Sequence, residues 1–169
     1  MLICLDVDYR PDGSARPAAA LFHDWPDSAA AHELVVRVEE VEAYEPGQFS
    51  RRELPCLLAA LEQARRIAPL GTVIIDGYVT LDADGRPGLG AFLWQALDQT
   101  LPVIEVAKTA FDGSPHALEL RRGRSARPLY ITSAGLDPQD AREAVGRMAG
   151  DHRLPTLLKR VDFLCRHAP

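Results

Sequence analysis

Acidic residues occur at two places where the sequence otherwise favours buried strands. The N-terminal run LICLDVDY contains Asp6 and Asp8, and the short apolar run GTVIIDG contains Asp76. A buried carboxylate is unfavourable unless it is hydrogen-bonded or faces a cation. If Asp6 and Asp76 lay on adjacent strands, their charges would repel each other unless a cation were bound between them. Hard oxygen ligands of this kind suit Mg²⁺ or Mn²⁺.

Each of these acids also has an ordinary structural explanation. Asp6 alone could be a buried acid that accepts hydrogen bonds from backbone donors, and Asp76 could cap the turn with Gly77. Asp8 either supports the site from behind Asp6 or faces solvent at a strand edge. The metal hypothesis therefore depends on a fold that brings Asp6 and Asp76 to the same level of one sheet.

The hydrophobic pattern predicts an α/β fold built in two parts. The first part is an antiparallel meander of three strands, followed by a helix, at residues 2–9, 16–25, 32–44 and 51–68. The second part alternates short apolar strands of the parallel kind at 71–77, 102–108 and 128–135 with helices at 88–100, 137–150 and 154–168. Residues 111–128 are expected to form a loop with an edge strand. We expect a mixed sheet flanked by helices, with the fourth strand parallel to a central first strand.

Length and composition limit the class of protein. A chain of 169 residues that is 47% hydrophobic can bury one good core, so we expect a single domain over residues 1–169. No segment is long and apolar enough to span a membrane, and the N-terminal run lacks the pattern of a leader, so we expect a cytoplasmic protein. The odd, widely spaced cysteines Cys4, Cys56 and Cys165 are interpreted as buried free thiols. A net charge of −5 is mild evidence against nonspecific nucleic-acid coating, although an acidic site lowers the charge even beside a basic rim.

Six short motifs follow one another along the chain. They are DVDY at 6–9, YEPG at 44–47 with SRRE at 50–53, IDG at 75–77, VAK at 106–108, PLYI at 128–131 and RLP at 153–155. In this order they resemble the motifs of the endonuclease V family, which are metal-dependent repair nucleases with an RNase H-like fold. The resemblance implies an endonuclease that hydrolyses a phosphodiester bond near a deaminated base, most simply hypoxanthine in deoxyinosine, with DNA as its partner.

The resemblance also implies roles for the acids and for one lysine. Asp6 and Asp76 would hold Mg²⁺ or Mn²⁺, with Glu53 and Asp162 acting directly or through water, and Lys108 would lie against the phosphate or the activated water. Taken singly, Glu53 would be an ordinary first-turn acid, Lys108 a solvated strand end and Asp162 a surface acid on a helix. The joint pattern favours the catalytic interpretation.

Recognition of the base is assigned to a second group of residues by the same resemblance. Tyr44 and the Pro46-Gly47 turn would form a strand-separating wedge and a lesion pocket, and Gly77 and Gly88 could line that pocket. The alternative interpretation is purely structural: Tyr44 would end a strand, and the Pro46-Gly47 pair would only form a turn. Basic residues near the site either follow the phosphate backbone or form solvated faces: Arg51, Arg52, Arg121, Arg122, Arg124 and Arg127.

The sequence departs from the family pattern near the base and the phosphate. Tyr78-Val79 and residues 82–86 replace His-Gly and His-Pro-Arg, Leu136 replaces a later histidine, and Asp8 replaces a glycine. Two alternatives therefore stay open beside the deoxyinosine nuclease. One is a related nuclease that acts on other DNA structures or on inosine-containing RNA, and the other is a nucleic-acid-binding module with weak catalysis.

Overall fold

The computed structural model describes residues 1–42, 49–111 and 116–167. Strands and helices follow one another along these segments in the order β1 (Leu2–Tyr9), β2 (Ala15–Phe22), β3 (His32–Val35), α1 (Phe49–Ile67), β4 (Thr72–Ile75), α2 (Leu89–Ala96), β5 (Val103–Ala107), β6 (Leu118–Leu120), β7 (Leu129–Ala134), α3 (Pro138–Arg147) and α4 (Thr156–His167).

One mixed sheet contains all the strands of the described segments, in the order β3-β2-β1-β4-β5-β7-β6. β1 is antiparallel to β2 and parallel to β4, with Cys4 aligned with Ile74. This confirms the predicted mixed sheet and the place of the first strand inside it. Two residues further along are Asp6, still within β1, and Asp76, just after the end of β4.

Two details of the predicted strands are wrong. β7 is antiparallel to β5, not parallel. The described residues between β5 and β7 form the edge strand β6 and no crossover helix, which a parallel return would require. Of the third predicted strand, residues 32–44, the structure describes the part up to residue 42, and this part is a regular strand only as far as Val35. β2 begins at Ala15, so beyond one isolated bridge between Ala15 and Val38 the chain has no strand residue left to pair with.

The core lies in two layers, one on each face of the sheet. Ile3, Leu5 and Ile75 pack in the layer that faces α1 and α2. Cys4 and Ile74 pack in the opposite layer, against α3 and α4. Since side chains alternate between faces along a strand, Asp6 lies on the same face as Cys4 and is directed towards α4. The three cysteines are buried free thiols, as predicted. None of the helices in the described segments is long and apolar enough to cross a membrane.

Arg122 has a structural role that the sequence did not indicate. Both alternatives considered for it, contact with a phosphate backbone and a solvated face, are wrong, because the residue is only 8% exposed. Its guanidinium donates hydrogen bonds to the carbonyl oxygens of Met148, Gly150 and His152 in the loop between α3 and α4. Arg122 therefore fixes the segment that leads into α4.

Arg122→Met should lower the free energy of unfolding by about 2 kcal/mol or more, because buried carbonyl groups would lose charged donors. Chemical denaturation measures this difference. Arg124→Met is the matched control, since Arg124 is exposed on the same turn and its loss should change stability by no more than about 0.5 kcal/mol. Equal effects of the two substitutions would contradict the anchoring role of Arg122.

Candidate active site

Three acids and one lysine surround a small cavity beside the middle of β1 and at the end of β4. The cavity has a volume of about 20 Å³, and its polar lining residues are Asp6, Asp76, Lys108 and Asp162. That volume accommodates roughly one water molecule or one small ion. The structure thus brings together four of the five residues that the sequence assigned to catalysis.

Asp6 is the acid most strongly affected by this arrangement. Its pKa is raised from 3.8 to about 6, chiefly by burial, and the negative charges of Asp162 and Asp76 act in the same direction. A hydrogen bond of 2.9 Å from the Val7 N–H to Oδ1 partly opposes the shift. Asp6 is therefore a carboxyl whose negative charge lacks full compensation, as expected where a cation would bind.

Lys108 supplies a positive charge on the same cavity. Its Nζ donates a hydrogen bond of 2.6 Å to Oδ2 of Asp76, and about half of each side chain is exposed. Burial opposes the charge of Lys108, but the hydrogen bond to Asp76 and the nearby charges of Asp6 and Asp162 raise its pKa. Lys108 is consequently protonated and points towards the place where the acids meet.

Glu53 approaches from the opposite face of the sheet, on α1. It does not line the small cavity, and its side chain is only 8% exposed. Burial and the charges of Asp6 and Asp76 raise its pKa from 4.5 to about 8. Its Oε2 accepts a hydrogen bond of 3.4 Å from the hydroxyl of Tyr9. The guanidinium of Arg52 stacks over the Tyr9 ring, with Cζ 3.8 Å from the ring centroid. The charges of Asp6 and Asp76 therefore act on Glu53, although Glu53 does not line the cavity that these acids share.

These side chains have the chemistry that a hard divalent cation requires. In the described segments, no three acidic, histidine or cysteine side chains already form a complete metal cluster. Mg²⁺, however, is commonly held by one or two carboxylates with several retained waters, which Asp6 and Asp76 can provide. The raised pKa values of Asp6 and Glu53 show uncompensated carboxyl charge at this position. The donor set therefore fits the expected cation.

Asp8, whose role the sequence left open, anchors α4. Its carboxylate forms an ion pair of 3.2 Å with Nε of Arg10. Nη2 of Arg10 donates to the carbonyl oxygens of Cys165 at 3.1 Å and Arg166 at 2.8 Å, in the last turn of α4. Asp8 thus supports the helix that carries Asp162, which itself accepts a hydrogen bond of 3.0 Å from Nε of Arg166.

A second, larger cavity adjoins the first and shares Asp76 with it. Its volume is about 580 Å³, within the usual range for small-molecule sites. The lining is mostly apolar and consists of Ser50, Arg51, Asp76, Gly77, Tyr78, Leu81, Arg86, Pro87, Gly88, Leu89, Phe92 and Phe111. Gly77 and Gly88, two of the three glycines assigned to base recognition, therefore line one cavity beside the acids.

Hydrogen bonds hold one wall of this larger cavity. The Tyr78 hydroxyl donates to the Thr109 carbonyl oxygen at 2.5 Å and accepts from the Phe111 N–H at 3.1 Å. The N–H of Val79 donates to Oγ1 of Thr132 at 2.9 Å. The apolar wall at Tyr78 and Phe111 is thus fixed to the segment that follows Lys108 and, through Val79, to β7.

The remaining residues assigned from the sequence have different positions. Tyr44, Pro46 and Gly47 lie outside the described residues. Arg51 is exposed and lines the larger cavity, whereas Arg52 packs on Tyr9. Arg121 and Arg124 line an open groove of about 960 Å³ together with His152 and Arg153, while Arg127 is exposed.

Two residues near the site were missed at the level of sequence. Arg153 donates hydrogen bonds to the carbonyl oxygens of Lys108 and, at 2.6 Å, Pro128, and so holds the end of β5. Glu105 is completely buried within β5. The signal for Glu105 was available, because it is a charged residue inside the apolar run PVIEVAK, in the same way as Asp6 in LICLDVDY.

Comparison with known families shows one family model that matches residues 1–163, described as endonuclease V. A curated endonuclease V from Xylella fastidiosa is 37% identical over 113 residues, which are 67% of this chain and 45% of that protein. One from Streptomyces coelicolor is 31% identical over 187 aligned positions, covering 97% of this chain and 77% of that protein. The chain therefore spans about half the length of the Xylella relative and more of the Streptomyces one.

Solved structures show the same similarity in three dimensions. The endonuclease V of Ciona intestinalis, in complex with a 24mer DNA containing an inosine followed by a ribo-adenosine, has a TM-score of 0.81 at 14% identity. The similarity covers 98% of this chain and 84% of that one. It confirms the predicted RNase H-like fold.

The metal-free protein should become less stable as the pH rises. Because the folded state raises the pKa of Glu53 from 4.5 to about 8, it binds more protons than the unfolded chain between these values. The free energy of unfolding should therefore fall across this window, and Asp6 should add to the fall up to a pH of about 6. Thermal unfolding in EDTA at a series of pH values measures the slope.

Glu53→Gln removes the ionisation and should make that pH dependence shallower. Glu62→Gln is the matched control, because Glu62 lies exposed on the same helix and should leave the slope as it is. A slope that persists fully in Glu53→Gln would mean that the Glu53 carboxyl does not carry the effect.

Proposed function

Because the chain belongs to the endonuclease V family, we propose that it is a divalent-metal-dependent endonuclease that hydrolyses a phosphodiester bond near a deaminated base. The favoured substrate is DNA containing deoxyinosine, and the favoured cations are Mg²⁺ and Mn²⁺. The DNA in the Ciona intestinalis complex contains inosine, which supports this choice of base. Such an activity belongs to DNA repair.

The observation that carries the proposal is the position of Asp76 between two cavities. On one side it lines the small cavity with Asp6, Lys108 and Asp162, where phosphate chemistry requires charged groups. On the other side it lines the larger apolar cavity, which suits a flat base removed from its stack. A single acid thus links the place for the phosphate with the place for the base.

Asp6 and Asp76 would hold the cation, with Glu53 and Asp162 completing its surroundings directly or through water. When bound, such a cation polarises the phosphate and lowers the pKa of a coordinated water, which supplies the hydroxide nucleophile. Its positive charge would also favour the ionised forms of Asp6 and Glu53, whose raised pKa values favour protonation in its absence.

Lys108 contributes to the chemistry in its own right. Negative charge grows on the phosphate oxygens and on the leaving group as the bond breaks, and a positioned ammonium stabilises that charge more strongly in the transition state than in the ground state. Arg153 holds the carbonyl oxygen of Lys108 and so keeps the end of β5 in place. The hydrogen bond to Asp76 keeps Nζ beside the acids.

Base recognition is assigned to the larger cavity. Gly77 and Gly88 line this cavity, and the rings of Tyr78 and Phe111, with centroids 5.9 Å apart, offer an apolar wall to an extruded base. Tyr44 with Pro46 and Gly47 would separate the strands at the damaged step. Exclusion of water from this cavity would strengthen hydrogen bonds to the edge of the base.

A panel of substrates tests the proposed function. Strands of DNA and of RNA that contain inosine, uracil or no modified base should be incubated with Mg²⁺, with Mn²⁺ and with EDTA. We expect cleavage of inosine-containing DNA that depends on added metal. Preferential cutting of inosine-containing RNA or of other structures would favour the related nuclease, and binding without cutting would favour the module with weak catalysis.

Lys108→Met should lower the single-turnover cleavage rate by roughly 10²-fold, the effect of losing one positioned electrostatic donor. Binding of DNA should weaken only by about one phosphate contact, with the salt slope reduced by roughly one. Lys159→Met is the matched control, because Lys159 is an exposed lysine on α4. An unchanged rate in Lys108→Met would remove this residue from the mechanism.

Asp76→Asn should abolish cleavage without unfolding the protein, because removal of one negative charge from a group of repelling acids relieves strain in the metal-free state. Cleavage and thermal unfolding should both be measured, with Asp84→Asn, at an exposed acid of the turn that follows, as the control. Cleavage by Asp76→Asn at the parent rate would exclude Asp76 as a ligand of the cation.

A further inference from the structure

Glu105 is a completely buried acid on β5 that the proposed mechanism does not use. Its exposed fraction is 0%. Oε2 accepts a hydrogen bond of 2.8 Å from the N–H of Gly90, while Oε1 has no hydrogen-bond partner. An unpaired buried oxygen is unfavourable, so this carboxyl requires an explanation.

The first contact is explained by the way in which α2 begins. The first N–H groups of a helix have no partner inside the helix, and a side-chain oxygen at the N-cap normally accepts one of them. Here the N-cap is Gly88, which has no side chain. A Cβ at this position would lie 1.8 Å from the carbonyl oxygen of Tyr78, so a larger residue is excluded. Glu105 supplies the missing acceptor from a neighbouring strand.

The second contact lies at the turn that follows Asp76. Gly77 has a φ of +137°, a conformation that favours glycine, and a Cβ there would lie 2.6 Å from Oε1 of Glu105. A Cβ on Gly90 would lie 2.3 Å from Oε2. The carboxyl group therefore fills the space between two glycines, one on the turn after β4 and the other in the first turn of α2.

We propose that Glu105 is a positioning residue that fixes the first turn of α2 against the Asp76-Gly77 turn and thereby sets the shape of the larger cavity. Gly77 lines that cavity on one side, and Gly88 and Leu89 line it on the other. The inference rests on the proposed function only in assigning the cavity to a base.

The charge around Glu105 agrees with a role in positioning. Among the described residues it has no cationic partner, and burial together with the nearby Glu53 and Asp76 raises its pKa well above 4.5. Burial thus favours the neutral form of this carboxyl, which acts through shape and hydrogen bonding rather than through charge.

Two substitutions separate positioning from simple packing. Glu105→Gln keeps the length, the neutral state and an oxygen that can accept the Gly90 N–H. Glu105→Met fills a similar volume without that acceptor and leaves the buried Gly90 N–H unpaired. Glu119→Met, at an exposed glutamate of β6, is the matched control.

We expect Glu105→Met to raise KM for inosine-containing DNA by about five- to tenfold, the scale of one lost hydrogen bond, with kcat little changed. The Gly90 amide should exchange its hydrogen faster by a similar factor, while the affinity for Mn²⁺ stays at the parent value. Glu105→Gln should restore KM and Gly90 protection to near those of the parent.

Three results would overturn the proposal. They are a Glu105→Met variant with the parent's KM and Gly90 exchange, a Glu105→Gln variant as impaired as the Met variant, and an equal effect of Glu119→Met. If the Met variant does not fold, Glu105→Asp, which shortens the reach by one methylene group, serves in its place. A parent protein that cuts no inosine substrate would reject the proposed substrate, while Gly90 exchange in the variants would still decide the role of Glu105.

Discussion

The parallel pairing of β1 with β4 is the constraint on which the rest of the site depends. Because Cys4 is aligned with Ile74, the carboxylates two residues further along both strands come to the same level of the sheet. Burial and the nearby charges of Asp162 and Asp76 raise the pKa of Asp6 and leave a demand for positive charge. Lys108 balances the charge of Asp76 through their hydrogen bond. The raised pKa of Asp6 shows that its own negative charge is not fully balanced.

The surrounding structure holds the other groups against this pair from both faces of the sheet. α4 brings Asp162 from one side and is held at its end by Arg10, which Asp8 orients. α1 brings Glu53 from the opposite side, next to Tyr9. The acids expected to bind the cation are thus surrounded by residues, such as Arg10 and Asp8, that hold the helices in place. Asp8 illustrates the difference, since it resembles Asp6 in sequence and contacts an arginine instead of the cavity.

Much of this arrangement could be predicted from the sequence because it depends on local patterns. The alternation in LICLDVDY gave β1 with its observed bounds, and the motif IDG placed Asp76 at the end of a short buried strand. The direction of β7 was not predictable in that way, since a hairpin and a crossover can follow the same strand pattern. Arg122 and Arg153 were also out of reach, because their partners are backbone carbonyl groups far along the chain. A sequence shows which side chains are charged, but the partners of a buried arginine exist only in the fold.

The contact between Arg10 and α4 has a consequence for the order in which the molecule is assembled during synthesis. Arg10 and Cys165 are separated by 155 positions, yet the end of the helix that carries Asp162 is held there. Strands β1 to β3 can pair soon after they leave the ribosome, because their contacts are local. Asp162 can join the acids of the first strand only after α4 has been translated. A nascent chain therefore holds an incomplete group of acids until α4 packs against the sheet.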